Sequence, residues 1–445
     1  MTTGLLLLLL VLSGSQASHY FGTVMTFTPK ESTDDGSLRV VFDYKLSFRS
    51  CTDEDKWKCA SGDCGSESVE LSIVDEEDRE WCQREGVMTR EVSSNSLFQL
   101  RLAGGDWINN KNGISNWKAV TQVDLRTRSD TAQPNKSPQT TILPALRVPS
   151  NCKREFSLLA FDPDEDEVQC RYGDTAADEC NPCTPPSLLT ITPSCKLTFH
   201  SASRSDEGAY AIQLEMEDFP KQTIFLHQSD DVETTRTPSD ALSKIPIRFS
   251  LIVDPPVPSC SEGAYLPKFL PPTPVSGAQL LAYINETLNI TIMAEATNTM
   301  VLKLLFSGPH NIVKHTESHG QFFLTWTPSD SEDEENHPIC FVVQAELNTA
   351  KYHSELRCVI VSIQIRPITT PLPTTVLPST TPEHTTTLLF INETEDQEKV
   401  LYESTGSGDD SMGAGKVVGI VFGVGAVAAI VGVALWALNR SSPVL

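Results

Sequence analysis

Positive charge is scarce: 34 Lys and Arg stand against 58 Asp and Glu, a formal net charge of −24 over 445 residues. A chain this acidic lacks the dense basic surface that phosphate backbones and anionic membrane faces require. Catalytic motifs are missing as well. The sequence holds no His-Glu-x-x-His pair, no Gly-x-Ser-x-Gly elbow and no phosphate-cradling glycine loop. Paired Cys-x-x-Cys zinc ligands are also absent. No enzyme is expected. Outside the two ends no apolar stripe repeats every 3.6 residues, which argues against a helical bundle.

What is present begins at the ends. Residues 5–12 form an apolar run, LLLLLLVL, followed by small residues at Ser15 and Ala17. Eight residues reach only about 12 Å as a helix, too short to span a bilayer of roughly 30 Å. The pattern predicts a signal peptide over 1–17. Residues 417–438 are uncharged and apolar; a helix of that length, about 33 Å, crosses a membrane. Gly419 and Gly423 fall on one face of it, where a second helix could pack closely. A cytoplasmic tail, 439–445, would follow. The alternative is a GPI-attachment signal built on Ser407–Gly408–Asp409.

Between head and membrane lies a Thr/Pro-rich stalk, 367–416. In 367–387, 15 of 21 residues are Thr, Ser or Pro, a composition that buries no core and accepts O-glycans. Asn135, Asn285, Asn289 and Asn392 begin N-glycosylation sequons.

The head reads as all-β. Leu38, Val40, Phe42, Tyr44, Leu46 and Phe48 alternate with a period of two. Val69, Leu71 and Ile73 repeat the pattern, as do Phe98, Leu100 and Leu102. Two Pro-rich stretches, Pro134 to Pro149 and Asp254 to Pro258, read as joints. They divide the head into a β-rich module over 18–140 and β-sandwiches over 148–255 and 258–366.

Cysteine parity refines this division. The first module holds Cys51, Cys59, Cys64 and Cys82, an even set. The second and third hold five and three. A hairpin centred near residue 349 sets Cys340 opposite Cys358, at a spacing a cross-strand disulfide bridges. Cys260 then remains, and is expected to bond into the second module across the joint. Cys180 and Cys183 have redox spacing but sit in a Pro-rich loop of a β module, so a structural bridge is expected.

Three passages resemble known sandwiches. Phe161–Asp–Pro–Asp–Glu–Asp–Glu–Val–Gln–Cys170 resembles the DPDGD turn of cadherin-like and polycystic-kidney-disease-like repeats. Leu324–Thr–Trp–Thr–Pro328 with the later ICFVVQAE resembles the ending of Ig-like and cadherin-like repeats. Ser205–Asp–Glu–Gly–Ala–Tyr210 resembles the immunoglobulin tyrosine corner, although Ile212 stands where the intersheet Cys would be. The resemblance implies tandem Ig-like/cadherin-like β-sandwich modules, carried above one C-terminal transmembrane helix.

Asp162, Asp164 and Asp166 alternate as hard-oxygen ligands do, and the cadherin resemblance implies calcium there. His310, His315 and His319 lie close in sequence without a carboxylate partner of zinc-site type, and read as surface loop residues. Trp107, in the polar stretch DWINNKNG, is a candidate anchor for a ligand. The expectation is a single-pass type I surface glycoprotein of the plasma membrane, its bulk extracellular, acting in adhesion or in recognition of a protein or glycan ligand. The alternative is a co-receptor subunit whose helix, through Gly419 and Gly423, pairs with a signalling chain.

Overall fold

The computed structural model describes residues 19–30, 37–77, 80–229, 232–332 and 335–366. The expected signal peptide, stalk, apolar segment 417–438 with Gly419 and Gly423, tail and Asn392 lie outside them. Among the described residues no helix is long and apolar enough to cross a membrane. Among the described residues the regular elements are strands and two 3-10 turns, Arg204–Asp206 and Asp330–Glu332.

The first portion supplies β1 (Tyr20–Pro29), β2 (Leu38–Phe48), β3 (Lys58–Ser61), β4 (Ser66–Glu77), β5 (Trp81–Val92), β6 (Phe98–Gly105), β7 (Asn116–Val123) and β8 (Thr127–Arg128). Val40, Phe42, Tyr44, Leu46 and Phe48 are all buried, so the alternation of β2 does face a core. Gly86 lets the Tyr44 ring lie against β5: a Cβ there would meet that ring at 2.1 Å.

The second portion supplies β9 (Ala145–Pro149), β10 (Arg154–Ser157), β11 (Glu167–Tyr172), β12 (Leu189–Ile191) and β13 (Lys196–Phe199). It continues through β14 (Gly208–Phe219), β15 (Ile224–His227), β16 (Glu233–Arg236) and β17 (Ser243–Asp254). β10, β13 and β12 form a small sheet of their own. The Tyr210 hydroxyl donates to the Asp206 carbonyl at 2.9 Å, the corner its motif suggested. Ile212 is buried where a cysteine was missing.

The first two portions are not separate beads. β17 pairs with β14 along one edge, from Gly208↔Val253 to Asp218↔Ser243. Its other edge is shared. Residues 250–254 run parallel to β9, Ile247 and Arg248 pair with β1, and Lys244 pairs with Gln122 of β7. One sheet of eleven strands therefore crosses the expected boundary. Gly22 permits this contact, since a Cβ there would sit 2.0 Å from the Arg248 carbonyl oxygen.

The stretch from Pro134 to Pro149 is accordingly a buried strap and no joint. Ser137, Thr141, Leu143, Leu146 and Val148 are buried. Ser137 exchanges bonds with Phe27: its N–H donates to the Phe27 carbonyl (3.1 Å), and its Oγ accepts the Phe27 N–H (2.8 Å). Gln83 donates to the Ile142 carbonyl at 3.0 Å. The prolines that suggested a linker remove backbone donors, which eases burial of an irregular segment.

The third portion is a two-sheet sandwich. One sheet holds β18 (Lys268–Leu270), β20 (Leu288–Glu295), β22 (Val313–Ser318) and β23 (Gln321–Trp326). The other holds β19 (Ala278–Tyr283), β21 (Met300–Ser307), β24 (Asn336–Leu347), β25 (Ala350–His353) and β26 (Arg357–Gln364). Phe341, Val343, Val359, Val361 and Ile363 line its own core. Cys340, Val342, Cys358 and Ile360 pack instead into the core of the first two portions. β24 and β26 are buried on both faces, which their unbroken apolar runs ICFVV and CVIV encode.

All twelve cysteines are paired. Cys340 bonds Cys358 as cross-strand partners, Cys180 bonds Cys183, and Cys260 bonds Cys152 across the second joint. The remaining bridges are Cys51–Cys82, Cys59–Cys64 and Cys170–Cys195. Asn151 adds a second clamp at this joint, accepting the Val257 N–H at 2.9 Å and donating to its carbonyl at 2.8 Å.

Candidate metal centre

The DPDED turn folds on the side chain of its first aspartate. Asp162 Oδ1 accepts the N–H groups of Asp164 (2.9 Å) and Asp166 (3.0 Å), an Asx-type turn. Glu165 adopts a left-handed φ of 62° inside it. The turn aims its carboxylates at Arg128 of β8, which is almost fully buried.

Arg128 is held from three sides. Its Nη2 donates to Asp130 Oδ2 (2.9 Å) and Asp166 Oδ1 (3.0 Å), its Nε to Asp130 Oδ1 (3.0 Å) and its Nη1 to Asn135 Oδ1 (2.5 Å) and Asp166 Oδ2. Asn135 passes the chain on, its Nδ2 donating to Asp218 Oδ2 at 2.6 Å. Asp218 Oδ1 accepts both the N–H (2.7 Å) and hydroxyl (2.6 Å) of Ser243. The cluster thus joins β8, the buried strap, the turn before β11, the end of β14 and the start of β17.

Charge in this cluster is unbalanced. Asp130, Asp162, Asp164, Asp166 and Asp218 face Arg128 and Lys136. Burial, and then the charge of Asp218, pushes the Asp162 carboxyl up to about 8. Burial likewise raises Asp218 to about 6, against the bonds from Ser243 and Asn135. Asp164 is raised by burial too. The Arg128 guanidinium is held charged: burial opposes its charge, but the bonds to Asp166 and Asp130 outweigh it.

The expected ligand set changes membership. Carboxylate oxygens of Asp162, Asp166 and Asp218 lie within 4.8 Å of one another. Asp164 is turned aside, accepting the Lys136 N–H at 2.8 Å. Nothing local in Met216–Phe219 marks Asp218; only the pairing of β14 with β11 and β17 brings it to the turn. A second cluster, Cys51, Glu76 and Cys82, offers no thiolate because its sulfurs form a disulfide.

Two further expectations are corrected. Asn135 is 1% exposed, and its side chain is committed to Arg128, Asp218 and the Lys136 carbonyl, so in the folded chain it takes no glycan. Asn285 and Asn289 are exposed. Trp107 is 4% exposed and no surface anchor. Its ring meets Tyr20 edge-on at 4.8 Å, and its indole N–H points to Ser250 Oγ at 3.4 Å. The polar residues after it serve the same seam. Asn112 accepts the Ala211 N–H (2.9 Å) and donates to its carbonyl (2.8 Å), bonding β14 as a strand would, ahead of the stretch 214–219 that pairs with β11.

His310, His315 and His319 form no metal-ligating group among the described residues. His310 instead meets Glu85, its Nδ1 lying 2.7 Å from Oε2.

No family model matches the chain, and no curated protein matches it. Among solved structures, an endo-fucoidan hydrolase from glycoside hydrolase family 107 is 11% identical, with a TM-score of 0.19. That match covers 67% of this chain, which spans 39% of the hydrolase's length. The titin Ig tandem domains are 9% identical over 50% of this chain and 93% of their own, with a TM-score of 0.17. Drosophila N-cadherin EC1-4 is 9% identical over 76% and 92%, also at 0.17. Likenesses this weak assign neither fold nor function; the all-β architecture is read from the strands themselves.

Proposed function

We propose that the chain is a cell-surface recognition glycoprotein: a non-catalytic head that binds an extracellular protein or glycan, tethered by the apolar segment 417–438 above a glycosylated stalk. The observation that carries this reading is the pairing of every cysteine into six disulfides. Disulfides of this density persist in oxidising compartments and are rare in the cytosol. The leader-like residues 1–17 and the exposed sequons at Asn285 and Asn289 agree with export. Bridges and a shared sheet make the head a stiff presenting surface, which lowers the ordering cost of recognition.

The test places an epitope tag after residue 18 and stains intact cells. Surface staining that survives a GPI-cleaving phospholipase supports a spanning helix; staining released by it supports the GPI alternative. Cytosolic retention with reduced thiols would refute the reading. Beads coated with the secreted head then report recognition, and the absence of adhesion to every cell type and matrix offered would count against it. Capture of a signalling chain that is lost in Gly423→Leu would favour the co-receptor alternative.

A further inference from the structure

We propose that Asp162, Asp166 and Asp218 hold a hard divalent cation of the calcium class, seated beside Arg128 where the turn before β11 meets the end of β14. The inference is independent of the recognition role. It rests on spacing, on an unsatisfied oxygen and on donor chemistry.

Spacing comes first. Calcium–oxygen distances of about 2.3–2.6 Å put two oxygens on one ion at most about 5 Å apart. The three carboxylates lie within 4.8 Å of one another, inside that limit. They come from both ends of the turn and from β14, so the ion would be enclosed by tertiary structure.

The unsatisfied oxygen is Asp162 Oδ2. Asp162 is 8% exposed, and this oxygen has no hydrogen-bond partner, while its sister oxygen is committed to the turn. A buried acceptor left unpaired is uncommon and destabilising. A proton would relieve the charge but leave a buried O–H without an acceptor. A cation relieves both. Five carboxylates against two cationic side chains make the same demand.

Donor chemistry selects the class. The ligands are all carboxylate oxygens, with neither imidazole nor thiolate, which suits calcium or magnesium over zinc. Arg128 shares Asp166 with the ion and makes the geometry irregular. Calcium tolerates irregular coordination, whereas magnesium demands near-ideal octahedra.

The full chain, freed of metal with EDTA, is titrated with calcium chloride by calorimetry, and its Tm is followed in parallel. Asp162→Asn keeps the Oδ1 acceptor of the turn and removes the free carboxylate oxygen. Glu165→Gln, at an exposed side chain in the same turn, is the control. One saturable site, an upward Tm shift in wild type and control, and loss of that shift in Asp162→Asn are expected. A shift retained in Asp162→Asn overturns the proposal, as does the absence of saturable binding to wild type. An equal shift with magnesium overturns the calcium assignment. Should Asp162→Asn fail to fold, the wild-type titration decides: one saturable site supports the cation, and none refutes it. None of these readouts depends on adhesion.

Discussion

The head joins its parts in two different ways. The first and second portions share main-chain ladders: one edge of β17 accepts β1, β7 and β9, and the other runs the length of β14. The third portion docks through side chains. Asp75 of β4 accepts the Phe306 N–H (3.0 Å) and Lys314 Nζ (2.6 Å). Glu77 accepts Gln344 Nε2 (2.9 Å), Glu80 accepts Lys351 Nζ (2.6 Å), and Glu85 accepts the His310 N–H (2.8 Å). Acids of the first portion meet Lys314, Lys351 and His310 of the third, and Lys30 meets Glu335 in the opposite sense. A ladder is indifferent to sequence and hard to divide; the docked face has an apolar centre, where Cys340, Val342, Cys358 and Ile360 enter the core of the first two portions, and a set of titratable groups around it whose share of the contact varies with pH.

The largest effect tests the ladder. Arg248 and Glu215 are fully buried partners, and Arg248 also donates to the Leu214 and Glu179 carbonyls. Arg248→Met leaves Glu215 buried and unpaired, at a cost of about 3–5 kcal/mol. Because β17 belongs to both portions, urea denaturation should show them unfolding together at lower denaturant. Two separate transitions would break the comparison.

Next comes the covalent staple on the docked portion. Replacing Cys152 and Cys260 by serine removes a bridge closing 108 residues, with a loss of about 2–5 kcal/mol. Limited proteolysis should then cut near 255–258 and leave the first two portions protected. Cleavage within the buried strap instead would show that the strap, and not the second joint, is the weak seam.

The smallest effect is the pH response of the docked face. Burial opposes the charge of Glu85, but Lys45 and the bonds from His310 and Lys45 bring its carboxyl from 4.5 down to about 2. A depressed acid stabilises fully above its unfolded value, and that contribution fades as pH falls from 4.5 towards about 2. His310 is raised from 6.5 by its bond to Glu85, against burial and the charge of Lys45 and with help from Glu332. A raised histidine stabilises fully below 6.5 and loses that contribution as pH climbs through its folded value. Asp43 also faces Glu85 across the sheet. Protection factors in 302–312, that is, exchange corrected for its intrinsic pH dependence, should be highest between pH 4.5 and 6.5 and lower on both sides. A profile unchanged in Glu85→Gln would remove this pair from the account.

Much of the local architecture was legible. The alternation of β2 buries its apolar face, and the cysteine parity that left Cys260 unmatched pointed to a bridge into the second portion, where the structure supplies Cys152 as the partner. The corner at Tyr210 follows its motif. What misled was polarity and proline content read without a partner surface. The prolines of 134–149 line a buried strap, Trp107 stands in the core, and Asn135 spends its amide on Arg128 and Asp218. The turn at Asp162 marked a candidate cation site, yet Asp218, a member of the proposed ligand set, sits on a strand whose proximity no local spacing reveals.

Sequence alone determined period, turn chemistry and disulfide parity, because each arises among residues near in the chain or from simple counting. Which strand edges join, and which polar side chains are taken out of water, was decided only when β17 brought β1, β7, β9 and β14 together. Backbone hydrogen bonds carry no residue code, so strands distant in sequence choose partners by burial and shape, and those exist only in the folded chain.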